Sequence, residues 1–139
     1  MPALPLPPEI DEFLRLPNPA VVASLRSDGS PHSAATWYLW DGERALLNMD
    51  ESRLRLRFMR RDPRVALTAL GDDEWYRHAS LLGRVTEIRE DDGLADIDRL
   101  ARHYTGSPFG SRTARRVSAL VEPHAWHAWQ GSAPWPETG

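Results

Sequence analysis

Residues 48–65, NMDESRLRLRFMRRDPRV, place six arginines around short apolar steps. A guanidinium is always charged and presents a planar fork of donors that matches phosphate or carboxylate, so this stretch has the chemistry of an anion holder. Its middle, RLRLR, alternates like an exposed strand, but its flanks argue for a helix. Asp50 and Ser52 are good N-cap types, and Leu54 and Phe58 stand four apart. Asp62-Pro63 supplies a stop, because a residue before proline avoids the helical region. The pattern predicts a helix over Ser52–Arg61 with Ser52 as N-cap. Arg53 and Arg55 then fall in the first turn, where the helix dipole disfavours cations unless an anion sits there with them. Two readings stay open on the residues alone: a solvated basic helix face, or a pocket for something small and anionic.

Other reactive groups are sparse. There is no cysteine, so a disulfide framework, a thiolate metal site and a cysteine nucleophile are all excluded. All 17 basic residues are arginine, which removes the Schiff-base lysine and the P-loop lysine as well. His32, His78, His103, His124 and His127 are scattered; His124 and His127, three apart on a strand, would point to opposite faces, and no metal site is expected. No G-x-S-x-G elbow and no G-x-G-x-x-G fingerprint occurs. Asp72-Asp73 and Asp91-Asp92 read as turn residues. With no acid, base or nucleophile in evident array, redox or group-transfer chemistry would have to come from a bound cofactor. A formal charge of −3 argues against nucleic acid as the partner.

The elements that would position the arginines are mainly strands. At 139 residues the chain suits one domain, read here over 1–139. PEIDEFLRL predicts a short N-terminal helix. PAVVASLR and HSAATWYLW flank Asp28-Gly29, a tight-turn pair, and a second Asp-Gly at 41–42 leads into ERALLNM. These runs predict a three-stranded antiparallel meander. RVALTAL reads as a buried strand, and WYRHASLLGRVTEIRE as one long strand bent or bulged at Gly83. DDGLADIDRLARHY predicts a helix, RRVSALVEP a strand and HAWHAW a short terminal strand; residues 131–139 read as a mobile tail. The expected fold is mainly β with α additions, a six-stranded antiparallel split β-barrel with short helices. No apolar run reaches the ~18 residues a membrane helix needs, and the N-terminus lacks the order of a signal peptide, so a cytoplasmic location is expected with no membrane partner.

WYLWDG, NMDESRLR, RRDPRVAL, WYRHASLLGRVTEI and RHYTGSPF together resemble the split β-barrel flavin- and deazaflavin-binding proteins, the pyridoxamine 5'-phosphate oxidase-like group. The likeness runs from about Pro19 to Trp129 and is strongest for the branch that binds coenzyme F420. It implies a homodimer with cofactor sites at the interface. The ring would lie along His32, Ser33, Ala34, Ala35, Thr36 and Trp37, with Asn48 and Met49 beyond. Ser52, Arg53 and Arg55 would hold the cofactor phosphate, while Tyr76, Arg77, Trp126 and Trp129 would reach across the interface. Trp37, Tyr38 and Trp126 would meet the substrate. The chain departs from the family pattern at Arg55, often Lys, at Ala35, often Pro, and at Asn48-Met49, often Ser-Thr. The implied activity is that of an F420-dependent reductase passing hydride to an electron-poor double bond. The alternatives are an FMN-dependent oxidoreductase of the same fold and a non-catalytic cofactor or tetrapyrrole carrier or sensor.

Overall fold

The computed structural model describes residues 2–131 and 133–135. Helix α1 (Pro8–Leu14) begins with proline, whose missing N–H is no loss in a first turn, and buries Ile10, Phe13 and Leu14. Strands β1 (Ala20–Leu25) and β2 (Pro31–Thr36) form the first hairpin, with Gly29 at φ 85° in its turn, a left-handed conformation that glycine adopts without steric cost. Trp37 and Tyr38 lead to β3 (Leu39–Trp40), which pairs with β4 (Ala45–Asp50). Asp41 shapes that turn by accepting the backbone N–H groups of Glu43 and Arg44. Next come α2 (Leu54–Arg61), β5 (Arg64–Leu70), β6 (His78–Glu90), a 3-10 turn, α3 (Ala95–Thr105), β7 (Arg116–Gln130) and β8 (Ala133–Pro134).

The strands form one antiparallel sheet in the order β2-β1-β5-β6-β7-β4-β3, with β8 added to β7. Strands β2 and β3 therefore lie at opposite ends of a seven-strand path, although only Trp37 and Tyr38 separate them in sequence. Six strand spacings would put the ends about 29 Å apart in a flat sheet. The three peptide steps from Thr36 to Leu39 span at most about 11 Å. The sheet must curl until its two ends meet. It becomes a barrel that is open between β2 and β3, mainly β with three helices as expected, but built from eight strands where six were expected.

Several details of the expectation change. The first three runs are not a meander: β4 pairs with β7, as in Asn48 opposite Ser118, and not with the preceding β2. The two runs expected near the C-terminus are one strand, β7, because Pro123 falls where β6 slips register and so leaves no ladder N–H missing. Gly83 is at that slip, as expected; a Cβ there would stand 2.8 Å from the Pro123 Cα and against the Glu122 carbonyl. At the start of the expected tail, β8 pairs with β7. Trp135 packs edge-on to Phe13 at 5.3 Å and donates from its backbone to Ala128. The rest of the expected tail, 132 and 136–139, lies outside the described residues.

The main core fills the barrel with Leu14, Val22, Tyr38, Leu47, Met49, Leu67, Leu81 and Trp126 among others. A second, smaller cluster packs Ile97 and Leu100 of α3 on Leu46 and Leu120, outside the barrel wall and next to the open seam.

Candidate functional site

A cleft of about 590 Å³ opens at the seam. β2 and the linker supply Ala35, Thr36 and Trp37; α3 and the loop after it supply Tyr104 and Phe109; Asn48, Arg55 and Arg116 lie at the polar end. Trp37 stacks on Tyr104 at 5.1 Å and 11°, and Phe109 meets Trp37 edge-on at 6.3 Å. This wall is fixed from behind: the Tyr104 hydroxyl donates to the Asn18 carbonyl at 2.7 Å and accepts the Tyr38 backbone N–H at 3.2 Å. Burial pushes the Tyr104 phenol up to about 12, so it stays neutral and makes those bonds throughout the ordinary pH range.

Positive charge collects at the other end. Arg53 pairs with Asp50 at 3.6 Å, and Arg116 stands directly across the ladder from Asp50. Arg55 is half-buried, and its Nε is shut off from solvent with no hydrogen-bond partner among the described residues. Burial lowers the Arg55 pKa, and the Arg53 and Arg116 charges lower it further. Burial also lowers that of Arg116, against the pull of Asp50 and Asp91. Three guanidiniums face the carboxylates of Asp50 and Asp91, with Asp72 elsewhere on the cleft wall, and one of the three holds an unsatisfied donor, a place where an oxyanion would be stabilised.

Behind Arg116 runs a chain of buried polar groups. Its Nε donates to Asn48 Oδ1 at 2.7 Å, and Asn48 Nδ2 donates to Asp91 and to Ser118 Oγ, each at 3.0 Å. Ser118 donates to Asp96 at 2.7 Å, while Asp91 accepts the backbone N–H groups of Asp96 and Ile97 at the start of α3. The network ties the helix that carries Tyr104 to the strand that carries Arg116.

Of the residues expected to hold a cofactor, Ala35, Thr36, Trp37, Asn48 and Arg55 come together in this cleft. His32, Ser33 and Ala34 are earlier on β2, and His32 meets the Phe58 ring edge-on at 5.3 Å instead. Met49 and Tyr38 are buried in the core, 1% and 0% exposed, Met49 because alternation along β4 turns its side chain inward next to Asn48. Trp126 is likewise a core residue, its indole N–H donating to the Ala3 carbonyl. Ser52 does not cap α2. The helix starts one residue later, with Arg53 at the N-cap, because Asp50 takes both the Ser52 N–H and its hydroxyl in a local turn. Arg77 is taken up by packing, over Phe13 at 5.1 Å and Trp135 at 5.9 Å. Tyr76 is exposed and stacked on Trp75 at 4.3 Å, outside the cleft, and Trp129 is exposed as well.

The sequence model of the family described as Pyridoxamine 5'-phosphate oxidase matches residues 6–130. The chain belongs to that family. No curated protein matches the sequence. Among solved structures, one described as an F420 reductase is similar at 29% identity and a TM-score of 0.79, covering 87% of this chain and 98% of its own. Rv2991, a conserved hypothetical protein of Mycobacterium tuberculosis, is 26% identical at a TM-score of 0.72, covering 92% of this chain and 86% of its own. A Clostridium acetobutylicum protein related to general stress protein 26 of B. subtilis is 15% identical at a TM-score of 0.67, covering 91% of this chain and 89% of its own, and shares the fold.

The cleft of this member of the pyridoxamine 5'-phosphate oxidase family is lined by residues that its sequence did not reveal. Arg116 is the main one: an Arg-Arg pair before a strand looks like any solvated turn until β4 and β7 are known to pair. Tyr104 and Phe109 were hidden in a helix and loop that nothing local linked to Trp37. No helix among the described residues is long and apolar enough to cross a membrane.

Proposed function

We propose that this protein is an oxidoreductase that binds coenzyme F420 in the seam cleft and reduces an electron-poor double bond of a small organic molecule. The observation that carries the reading is Arg55, whose buried, unpartnered Nε lies among like charges beside a cleft walled by Trp37 and Tyr104. A guanidinium is stable there when an anion shares the space, and a phosphate-bearing planar cofactor brings the anion and the ring together. The likeness to an F420 reductase favours the deazaflavin over FMN.

When bound, the coenzyme would supply hydride to the substrate carbon, and solvent would supply the balancing proton. The chain's own part is to bind and orient. Arg55 and Arg53 would hold the phosphate, with Arg53 released from its 3.6 Å pairing with Asp50. The extended backbone and small side chains at Ala35 and Thr36 let a flat ring approach β2 closely. Trp37, fixed by Tyr104, would set the plane and exclude water from one face. We further propose a homodimer in which the exposed Tyr76 and Trp129 meet the second copy near the ring.

The test is titration of the purified protein with F420 and with FMN, followed by quenching of its intrinsic tryptophan fluorescence. F420 is expected to bind at least about tenfold more tightly, a difference of about 1.4 kcal/mol. Tighter FMN binding would move the protein to the flavin-dependent class. Binding without turnover of any enone, imine or tetrapyrrole would make it a carrier or sensor. Binding of neither cofactor would overturn the reading. Sedimentation velocity checks the dimer, and a monomer at micromolar concentration would refute it.

A further inference from the structure

We infer that Arg116, held by Asn48, recognises a second oxyanion, a carboxylate or phosphate oxygen, on whatever planar molecule lies against Trp37. The inference rests on the reading of the seam cleft as a ligand site, though not on which cofactor fills it. Three observations support it. Arg116 lines the cleft and lies over the Phe109 ring at 4.7 Å, so its planar group continues the aromatic wall. Its Nε is committed to Asn48 Oδ1 at 2.7 Å, and among the described residues no acceptor takes a hydrogen bond from Nη1 or Nη2. Asp50, the carboxylate across the ladder, is already engaged with Ser52 and Arg53.

Asn48 is the positioning residue. Its amide accepts from Arg116 and donates to Asp91 and Ser118, which no single hydroxyl or carboxylate at that place could do. Asp91 in turn is fixed by the first backbone N–H groups of α3. The guanidinium therefore has one anchored edge and one free edge, and a free edge of two parallel N–H groups suits a bidentate oxyanion. Arg53 and Arg55 approach from α2, whereas Arg116 approaches from β7 on the side of Phe109 and Trp37. That placement allows one anion on the α2 side and another group next to the ring plane, such as the carboxylate of a conjugated acid.

The experiment compares wild type, Arg116→Ala, Arg116→Lys and Asn48→Ser, with melting temperature recorded for each. Affinities are measured by isothermal titration calorimetry for F420, FMN, riboflavin (the FMN ring without phosphate) and cinnamate, a planar conjugated carboxylate. Loss of a charge-assisted hydrogen-bonded contact predicts weakening of at least about tenfold in Arg116→Ala. If cinnamate weakens and both cofactors hold, the oxyanion belongs to the substrate. If F420 and FMN weaken while riboflavin and cinnamate hold, Arg116 shares the one phosphate with Arg53 and Arg55, and the inference of a second oxyanion is overturned. Asn48→Ser, which keeps the charge and frees the guanidinium, is expected to reproduce part of the loss, and Arg116→Lys to recover only part of it. Unchanged affinity for all four probes in Arg116→Ala overturns the inference. Equal weakening of all four, riboflavin included, also overturns it, since Arg116 would then be a packing element alone. Should wild type bind neither F420 nor FMN, the cofactor reading fails, while an Arg116-dependent cinnamate affinity still upholds this one.

Discussion

Arg55→Met should make the protein more stable and its ligand binding worse. Methionine keeps most of the apolar stem that packs at the base of α2 and removes the charged group. What disappears is a buried Nε donor with no partner and the repulsion from Arg53 and Arg116. An unsatisfied buried donor costs about 1–3 kcal/mol. Arg55 is only half-buried, so the lower end applies, a gain of about 1 kcal/mol once hydration of the outer guanidinium is discounted. With an unfolding entropy near 2.1 cal/mol/K per residue, about 0.29 kcal/mol/K for a chain of this length, the melting temperature should rise by about 3 °C. Adding F420 should reverse the ranking. Wild type at a hundredfold excess over Kd gains about 2.7 kcal/mol, or roughly 9 °C, and a variant that has lost most of its affinity gains little. Differential scanning calorimetry in phosphate-free buffer, with and without F420, measures both effects. A variant that melts below wild type without ligand, or one that shows the same ligand-induced rise, would refute the argument that Arg55 is held at a cost for the sake of an anion.

Two further outcomes follow from the fold. Gly83→Ala must push its new methyl against the Glu122 carbonyl and the Pro123 Cα, both backbone, and should lose about 2–3 kcal/mol in urea denaturation; a loss below about 0.5 kcal/mol would mean that the bulge is looser than described. Tyr104 and Tyr38 both have phenol pKa values raised by burial, Tyr104 to about 12. The folded state thus keeps protons that the unfolded chain gives up near pH ~10, so stability is whole below that pH and falls as pH rises from about 10 towards 12. An ultraviolet titration should show two tyrosines ionising only as the protein unfolds. Ionisation of Tyr38 and Tyr104 near pH ~10 with the fold intact would contradict the buried Tyr38–Asn18–Tyr104 arrangement.

Local signals were readable where local physics decides the outcome. Asp28-Gly29 specifies its turn because Gly29 needs a positive φ and Asp28 accepts the Ser30 N–H two residues on. Asp62 ends α2 with extended backbone because Pro63 follows it. Gly83 marks a close approach of two backbones. Pairing between distant strands leaves no such mark. The apolar run of β4, buried at five of its six positions, is silent on whether β4 lies against β2 or β7, and the expected meander failed there. The site followed the same rule. Arg53 and Arg55 stood out because their charges crowd one short helix start, and Asn48 was picked out by resemblance. Arg116 is 68 residues from Asn48, and only the β4–β7 register brings them together. Ser52 was misplaced by competition between two local structures, since an Asp two residues earlier can capture a serine that would otherwise cap a helix.

Strand β7 also sets an order of events for a chain growing on the ribosome. Strands β2, β1, β5 and β6 neighbour one another in the sheet and can assemble as soon as residue 90 is free. Among the described residues the β3–β4 hairpin, made long before, has no sheet partner except β7, which begins at Arg116. Until then β4 must wait with an unpaired edge and a run of apolar side chains, and β6 exposes an edge of its own. Arg55 and Asn48 are already synthesised at that stage, but the guanidinium that completes their cluster arrives with the residue that starts the closing strand. Assembly of the barrel and completion of the charged end of the cleft are therefore a single late step, and a nascent chain released before residue 116 would have neither.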